Sequence, residues 1–195
     1  MDVLNLIKNK KAVRVYKDRG ISPKNINRII EAGIWGPSLL AVGFQPWKFV
    51  VVTNRSVIEK IAAILLKKSE VIGIGGNRVL RMSANTVLNA KAVIVVYNSC
   101  CVSDFMKRFE SIYMEIARCA EISAIAAAIQ NMSLAAESLK IGSCWLDAPL
   151  FCEKEINELL RKNDKLAAIL TLGYSNHKGK RSPRKPLAET VEYVK

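Results

Sequence analysis

Residues 36–52 read GPSLLAVGFQPWKFVVV, and the passage from Gly36-Pro37 to the run Trp47–Thr53 decides how the chain is organised. Upstream, Ser22-Pro23 is a helix start, a hydroxyl cap followed by proline at the first helical position. Ile26, Ile29, Ile30 and Ile34 continue an apolar stripe until Gly36-Pro37 breaks it. Downstream, WKFVVVT is rich in β-branched and aromatic residues and reads as a strand. A proline at a strand entrance needs no special explanation, whereas the amide of Gln45 beside it invites one.

Further out, residues 2–9 form a short helical pattern with Val3, Leu4 and Ile7 on one face. Asn54 or Ser56 caps another helix whose stripe is Val57, Ile61, Ile64 and Leu65. Residues 69–90, with Gly73, Gly75 and Gly76, read as a flexible excursion over a site. Ala92–Tyr97 (AVIVVY) is a buried strand. Residues 109–140 carry the longest helical pattern, apolar nearly all round over AEISAIAAAIQNMSLAAESL, and Ile141-Gly142 ends it with a glycine cap. Glu153–Arg161 is a short amphipathic helix and Leu166–Leu172 a last strand. Three strands among predominating helices fit a small sheet covered on both faces, with parallel and antiparallel pairing both open.

The 195 residues suit one domain or a compact subunit that pairs with its copy, and half of them are apolar. No run of about 18 apolar residues lacks a polar interruption, since Ile122–Ala136 contains Ser123, Gln130, Asn131 and Ser133. No membrane span is expected. The N-terminus, MDVLNLIKNKK, is too polar and short for a signal peptide, so the expected compartment is the cytoplasm. Five cysteines without a CxxC pair, and one histidine (His177), give no metal-site spacing. A Ser–His–Asp or Cys–His arrangement is improbable for the same reason. No GxxxxGK[ST] loop is present, and GIGGN at 73–77 lacks the dinucleotide-binding spacing. With so few acid–base groups, difficult chemistry would belong to a cofactor.

Thirty Lys and Arg against 17 Asp and Glu give a net charge of +13, which favours anionic partners. Many cations lie near the two ends: Lys8, Lys10, Lys11, Arg14, Lys17 and Arg19, then Lys178, Lys180, Arg181, Arg184 and Lys185. In an extended segment Lys10, Ala12 and Arg14 face one way. Lys10 and Arg14 could grip one phosphate, and Arg184 could reach it if the tail folds back. A solvated basic surface is the plainer alternative. A nucleic-acid-binding or flavin-sensing protein would also use such charge, although no basic helix with interleaved aromatics occurs.

Three stretches together carry a family resemblance across nearly the whole chain. They are KKAVRVYKD with ISPKNINRIIEAGIWGPS and FQPWKFVVV, then AIQNMSLAAESLKIGSCWL, then LTLGYSNHKGKRSPRKPLAETV. The chain resembles the nitroreductase family of flavin-mononucleotide (FMN) oxidoreductases. That resemblance implies an α+β fold of three layers in one domain over residues 1–195. A small, mostly antiparallel central sheet would be flanked by helices, in an intertwined homodimer with FMN at the interface. It further implies that Lys10, Ala12, Arg14 and Arg184 lie at the FMN phosphate and ribityl chain. Pro37, Ser38 and Gln45 would lie along the flavin or its ribityl chain. A loop around Trp145, Leu146 and Asp147 would place backbone groups at the ring's reactive edge, with no catalytic side chain and no metal. NADH or NADPH would donate hydride, and nitroaromatics, quinones or a related acceptor would receive the electrons in a ping-pong cycle. A flavin-dependent dehydrogenase or dehalogenase of one metabolite is the alternative. Three positions depart from the family's pattern: Ala12 replaces its Ser, Gly43 its Asn, and Ala124 its acidic residue. The 38–45 stretch is also longer.

Overall fold

A computed structural model describes residues 2–38, 43–109, 111–177, 179 and 182–194, with only the backbone at 74, 111 and 112. Lys178, Lys180 and Arg181, and residues 39–42 of the longer 38–45 stretch, lie outside the described residues. The order is α1 (Val3–Asn9), α2 (Pro23–Ile34), β1 (Trp47–Val52), α3 (Arg55–Val71), α4 (Ile74–Asn89), β2 (Ala92–Asn98), α5 (Cys101–Met106), α6 (Ser111–Ser138), β3 (Gly142–Leu146), α7 (Glu153–Leu160) and β4 (Lys165–Gly173). Short 3-10 turns cover Ala148–Cys152 and Leu187–Glu189.

The four strands form one sheet in the order β1-β2-β4-β3, and every neighbouring pair is antiparallel. Alternation along β2 explains its continuous apolar sequence. Val93, Val95 and Tyr97 enter the layer of α3, α4 and α7, while Ala92, Ile94 and Val96 enter the layer of α2 and α6. Both faces are covered, so the expected three-layer α+β arrangement is found.

The caps follow the sequence. Ser22 Oγ accepts from Asn25 N at 3.3 Å, and Asn54 Oδ1 accepts from Ser56 N at 2.9 Å. The expected excursion at 69–90 is instead α4, packed along α3. Leu80, Ala84 and Val87 recur at helical spacing and are buried there. Its glycines stand at the cap and first turn, where they cost least. Gly142 does not cap α6 either. Lys140 takes the left-handed turn (φ 59°), Ile141 N bonds Ala136 O at 2.9 Å, and Gly142 opens β3.

By length and composition, Tyr113–Ser138 of α6 could cross a bilayer, contrary to the expectation from its polar interruptions. Just under half of it is buried within the protein. Ala124, Ala128, Ile129, Met132 and Ala136 pack on the sheet and on α2, and that contact accounts for its inner apolar face. Tyr113, Ile116 and Ile122 remain exposed.

Candidate functional site

The extended arm after α1 lies across the start of β3. Ala12 pairs with Ser143 in parallel, and Val13 N donates to Ser143 O at 2.9 Å. The approach depends on two glycines that are register partners, Gly142 and Gly173. A Cβ on Gly142 would sit 2.8 Å from Val13 Cγ1, and one on Gly173 would sit 2.6 Å from the Tyr16 ring. Tyr16 Oη donates to Val13 O at 2.6 Å and lies 2.8 Å from Thr171 Oγ1, which fixes the arm's far end.

Val13 is buried, while Lys10 and Arg14 share the opposite side, as alternation requires. Both cations lie within electrostatic reach of the buried Cys144 thiol and act to lower its pKa, against a larger upward push from burial. Burial is also the main influence on Lys10, holding its ammonium below the usual lysine range. Cys144 and Glu137 oppose that shift, and Arg14 adds to it. Lys10 thus lies within electrostatic reach of a carboxylate, Glu137, as well as of the Arg14 guanidinium.

The tail returns to this arm. Lys17 N donates to Tyr174 O at 2.7 Å, Ser175 Oγ donates to Val15 O at 2.7 Å, and Arg19 stacks 4.3 Å over the Tyr174 ring. Gly179 (φ 66°) passes so close that a Cβ there would lie 2.8 Å from Ala12 O. Arg184 does not follow. It is exposed, and its described hydrogen bonds are to its own neighbours, Ser182 O at 3.4 Å and Pro183 O at 3.3 Å.

At the other end of β3 a cavity of about 540 Å³ opens against α6, with Ile122, Ile125, Ile129 and Trp145 as its apolar wall. Trp145 Nε1 donates to Asp147 Oδ1 at 2.7 Å, holding the indole at the rim. Trp145 and Leu146 are therefore strand residues and not a loop, and the Leu146 side chain points into the α3–α4 core. Only Asp147 lies beyond the strand. The arm pairs with β3 at Ser143 and the cavity wall begins at Trp145, two residues or about 7 Å further along the strand.

Pro37, Ser38 and Gln45 are exposed between α2 and β1. Gly43 has φ 80°, a left-handed conformation in which glycine is favoured over the family's Asn. Pro46 O accepts from Ser99 N at 2.8 Å and Trp47 is core, so structure explains both. The Gln45 side chain makes no hydrogen bond among the described residues. Phe44 beside it lies 5.5 Å from Phe105 of α5, which ties this loop to the cavity's wall.

Sequence reasoning missed α5 and the residue that holds it. Glu121 of α6 is fully buried and accepts four hydrogen bonds, from Asn98 Nδ2 (3.0 Å), Val102 N (2.9 Å), Ser103 N (2.9 Å) and Ser103 Oγ (2.8 Å). The one signal was a carboxylate inside an otherwise Ala-rich apolar run.

The nitroreductase family model matches residues 7–174. A protein of Methanothermobacter thermautotrophicus, provisionally named an NADH dehydrogenase/NAD(P)H nitroreductase, is 33% identical over 145 residues; the match spans 74% of this chain and 60% of that protein's length. A protein of the same provisional name from Archaeoglobus fulgidus is 32% identical over 177 residues, 89% of this chain and 85% of its own. Among solved structures, a provisional nitroreductase of Desulfovibrio desulfuricans in complex with FMN superposes with TM-score 0.74 at 26% identity, covering 100% of this chain and 98% of that one.

Proposed function

The chain belongs to the nitroreductase family, and from that premise we propose that it is an FMN-dependent NAD(P)H oxidoreductase acting on nitroaromatics, quinones or a related flat acceptor. The observation that carries this reading is the arrangement along β3, with a paired cation site at its start and an apolar cavity at its end. The donor set suits FMN. Lys10 and Arg14 would hold the phosphate, Ala12 and Ser143 would border the ribityl chain, and Trp145, Asp147 and Gln45 would border the ring. Pro37 and Ser38 belong to the same rim. Arg184 joins only if the bound anion draws the tail inward. In this reading residues 1–195 form one domain.

When bound, FMN supplies hydride acceptance and electron delivery, chemistry that no side chain of this protein offers. The protein's part is binding and placement. Lys10 and Arg14 neutralise the dianion, and the apolar face of α6 excludes water from the cavity. Donor and acceptor share that cavity in turn, a ping-pong order, so the acceptor is selected by shape. The exposed Tyr113, Ile116 and Ile122 of α6, with Val3, Leu4 and Ile7 of α1, suit burial against a second copy, and we assign a cytoplasmic homodimer.

An absorption spectrum of the purified protein tests the reading. Flavin bands near roughly 370 and 450 nm are expected, with FMN released on denaturation. A colourless protein that neither takes up FMN nor oxidises NADH or NADPH would refute it.

A further inference from the structure

The geometry points to Glu121 as a positioning residue that fixes the acceptor-facing wall of the cavity and thereby sets which acceptors it takes; the inference rests on the FMN-dependent reading above. Glu121 borders the cavity from α6, and Asn98, Cys100 and Ser103 border it from the turn that leads into α5. That turn is unusual. Asn98 ends β2 and its Oδ1 accepts from Cys100 N at 2.9 Å, while Cys100 is left-handed at φ 56°. The following helix has six residues and no side-chain cap of its own. A helix this short does not hold itself in water.

Glu121 supplies what the local sequence lacks. Oε1 accepts the backbone N–H groups of Val102 and Ser103, two of the donors a helix start leaves open. Oε2 accepts from Asn98 Nδ2 and Ser103 Oγ, so the end of β2, the start of α5 and the middle of α6 meet on one carboxylate. The effect reaches further through aromatic contacts. Phe105 of α5 touches Phe44 at 5.5 Å and Phe109 at 5.9 Å, and Phe44 adjoins Gln45. Releasing Glu121 frees one wall of the cavity while leaving the arm at Lys10 and Arg14, on the far side of β3, in place.

The test uses the FMN-loaded protein and two quinones of different size, 1,4-benzoquinone and menadione, with NADH or NADPH as donor. Three variants grade the loss: Ser103→Ala removes one bond, Glu121→Gln keeps the oxygen that accepts both backbone N–H groups, and Glu121→Ala removes all four. FMN content is expected to stay within about twofold of wild type. In Glu121→Ala, kcat/KM for menadione is expected to fall about 10-fold and that for benzoquinone about twofold, because the larger acceptor would depend more on the α5 wall. The menadione/benzoquinone ratio shifts in the order Ser103→Ala, Glu121→Gln, Glu121→Ala. A merely structural role would lower both acceptors by one common factor, so an unchanged ratio in the folded, FMN-loaded variants overturns the inference. If Glu121→Ala does not fold, the other two variants decide. A wild-type protein without FMN or turnover overturns the functional reading and this inference together, whereas an active wild type with an unmoved ratio overturns this inference alone.

Discussion

Replacing Gly142 with Ala strikes the place where arm and sheet meet. The added Cβ would lie 2.8 Å from Val13 Cγ1 and 2.9 Å from its Cβ. Carbon atoms rest at about 3.6 Å or more, so the arm must lift by about 0.8 Å. Val13 N to Ser143 O is 2.9 Å, and the same lift carries that bond beyond hydrogen-bonding range. Overpacking costs about 1–3 kcal/mol and the lost bond about 1 kcal/mol. In a chain of this size the combined cost of about 2–4 kcal/mol lowers Tm by about 4–16 °C. The lift also moves Lys10 and Arg14 with the arm, and losing one charged contact would weaken FMN binding about 10- to 100-fold. FMN titration followed by flavin fluorescence, with thermal melts of the FMN-free protein, measures both effects. Gly173→Ala, which drives a Cβ into the Tyr16 ring at 2.6 Å, is expected to behave alike. Retention of wild-type Tm and FMN affinity by Gly142→Ala would refute both the seating of the arm on β3 and the role of its cations.

Arg14→Ala is expected to weaken FMN binding by about 1.5–3 kcal/mol, and Arg184→Ala by less, because the exposed Arg184 must first leave its own segment; equal losses in the same titration would place both on the phosphate. Lys10 has its folded-state pKa below the ordinary value, so the unfolded chain binds more protons between the two and stability climbs with pH through that window, below about 10.4. Denaturant unfolding of the FMN-free protein between about pH 8 and 10 should therefore show a shallower rise in Lys10→Met than in wild type; identical slopes would count against the burial of this ammonium. Tyr97 Oη is buried with no hydrogen-bond partner among the described residues, and burial pushes its pKa up to about 12. Tyr97→Phe is expected to stabilise the fold by about 1 kcal/mol in denaturant unfolding, and a loss of that size would reveal a bound partner.

The parts of this fold legible in the sequence are those where one local rule acts alone. Ser22 and Asn54 cap as their side chains dictate, and the short, continuous, β-branched run of β2 reads as a strand buried on both faces. Where two rules compete, tertiary contact decided. Gly73, Gly75 and Gly76 suggested a loop, yet the buried spacing of Leu80, Ala84 and Val87 made a helix against α3. Gly142 suited a helix cap, but its lack of a Cβ is used on the other side, to admit Val13. β3 is too short for its period to show, and α5 has no period at all; its helix exists because Glu121, from a distant part of the chain, accepts its first N–H groups. For the candidate site, alternation put Lys10 and Arg14 on one side of the arm, and the two lie within electrostatic reach of each other. No local rule could report that Arg184 stays with its own segment while Gly179, five residues earlier, reaches Ala12.

In the proposed function the protein's contribution is position, and here position comes from strand register. Gly142 and Gly173 sit opposite each other in the β3–β4 ladder, so one pairing step sets the height at which the cationic arm lies. The same strand, five residues long, sets the distance from that arm to Trp145 and Asp147. A slip of one residue would turn Trp145 into the α3–α4 core and Leu146 out toward the cavity, because successive side chains face opposite sides. The register is guarded accordingly. Cys144, Ser143 and Leu146 are all buried, and Thr171 Oγ1, on the partner strand, bonds Cys144 O at 3.2 Å while touching Tyr16. The end proposed to hold the anion is thereby fixed by backbone geometry, which tolerates little change. The end proposed to meet an acceptor is walled by α5, which is held by one carboxylate and a row of aromatic contacts and, on that proposal, can change without disturbing the first.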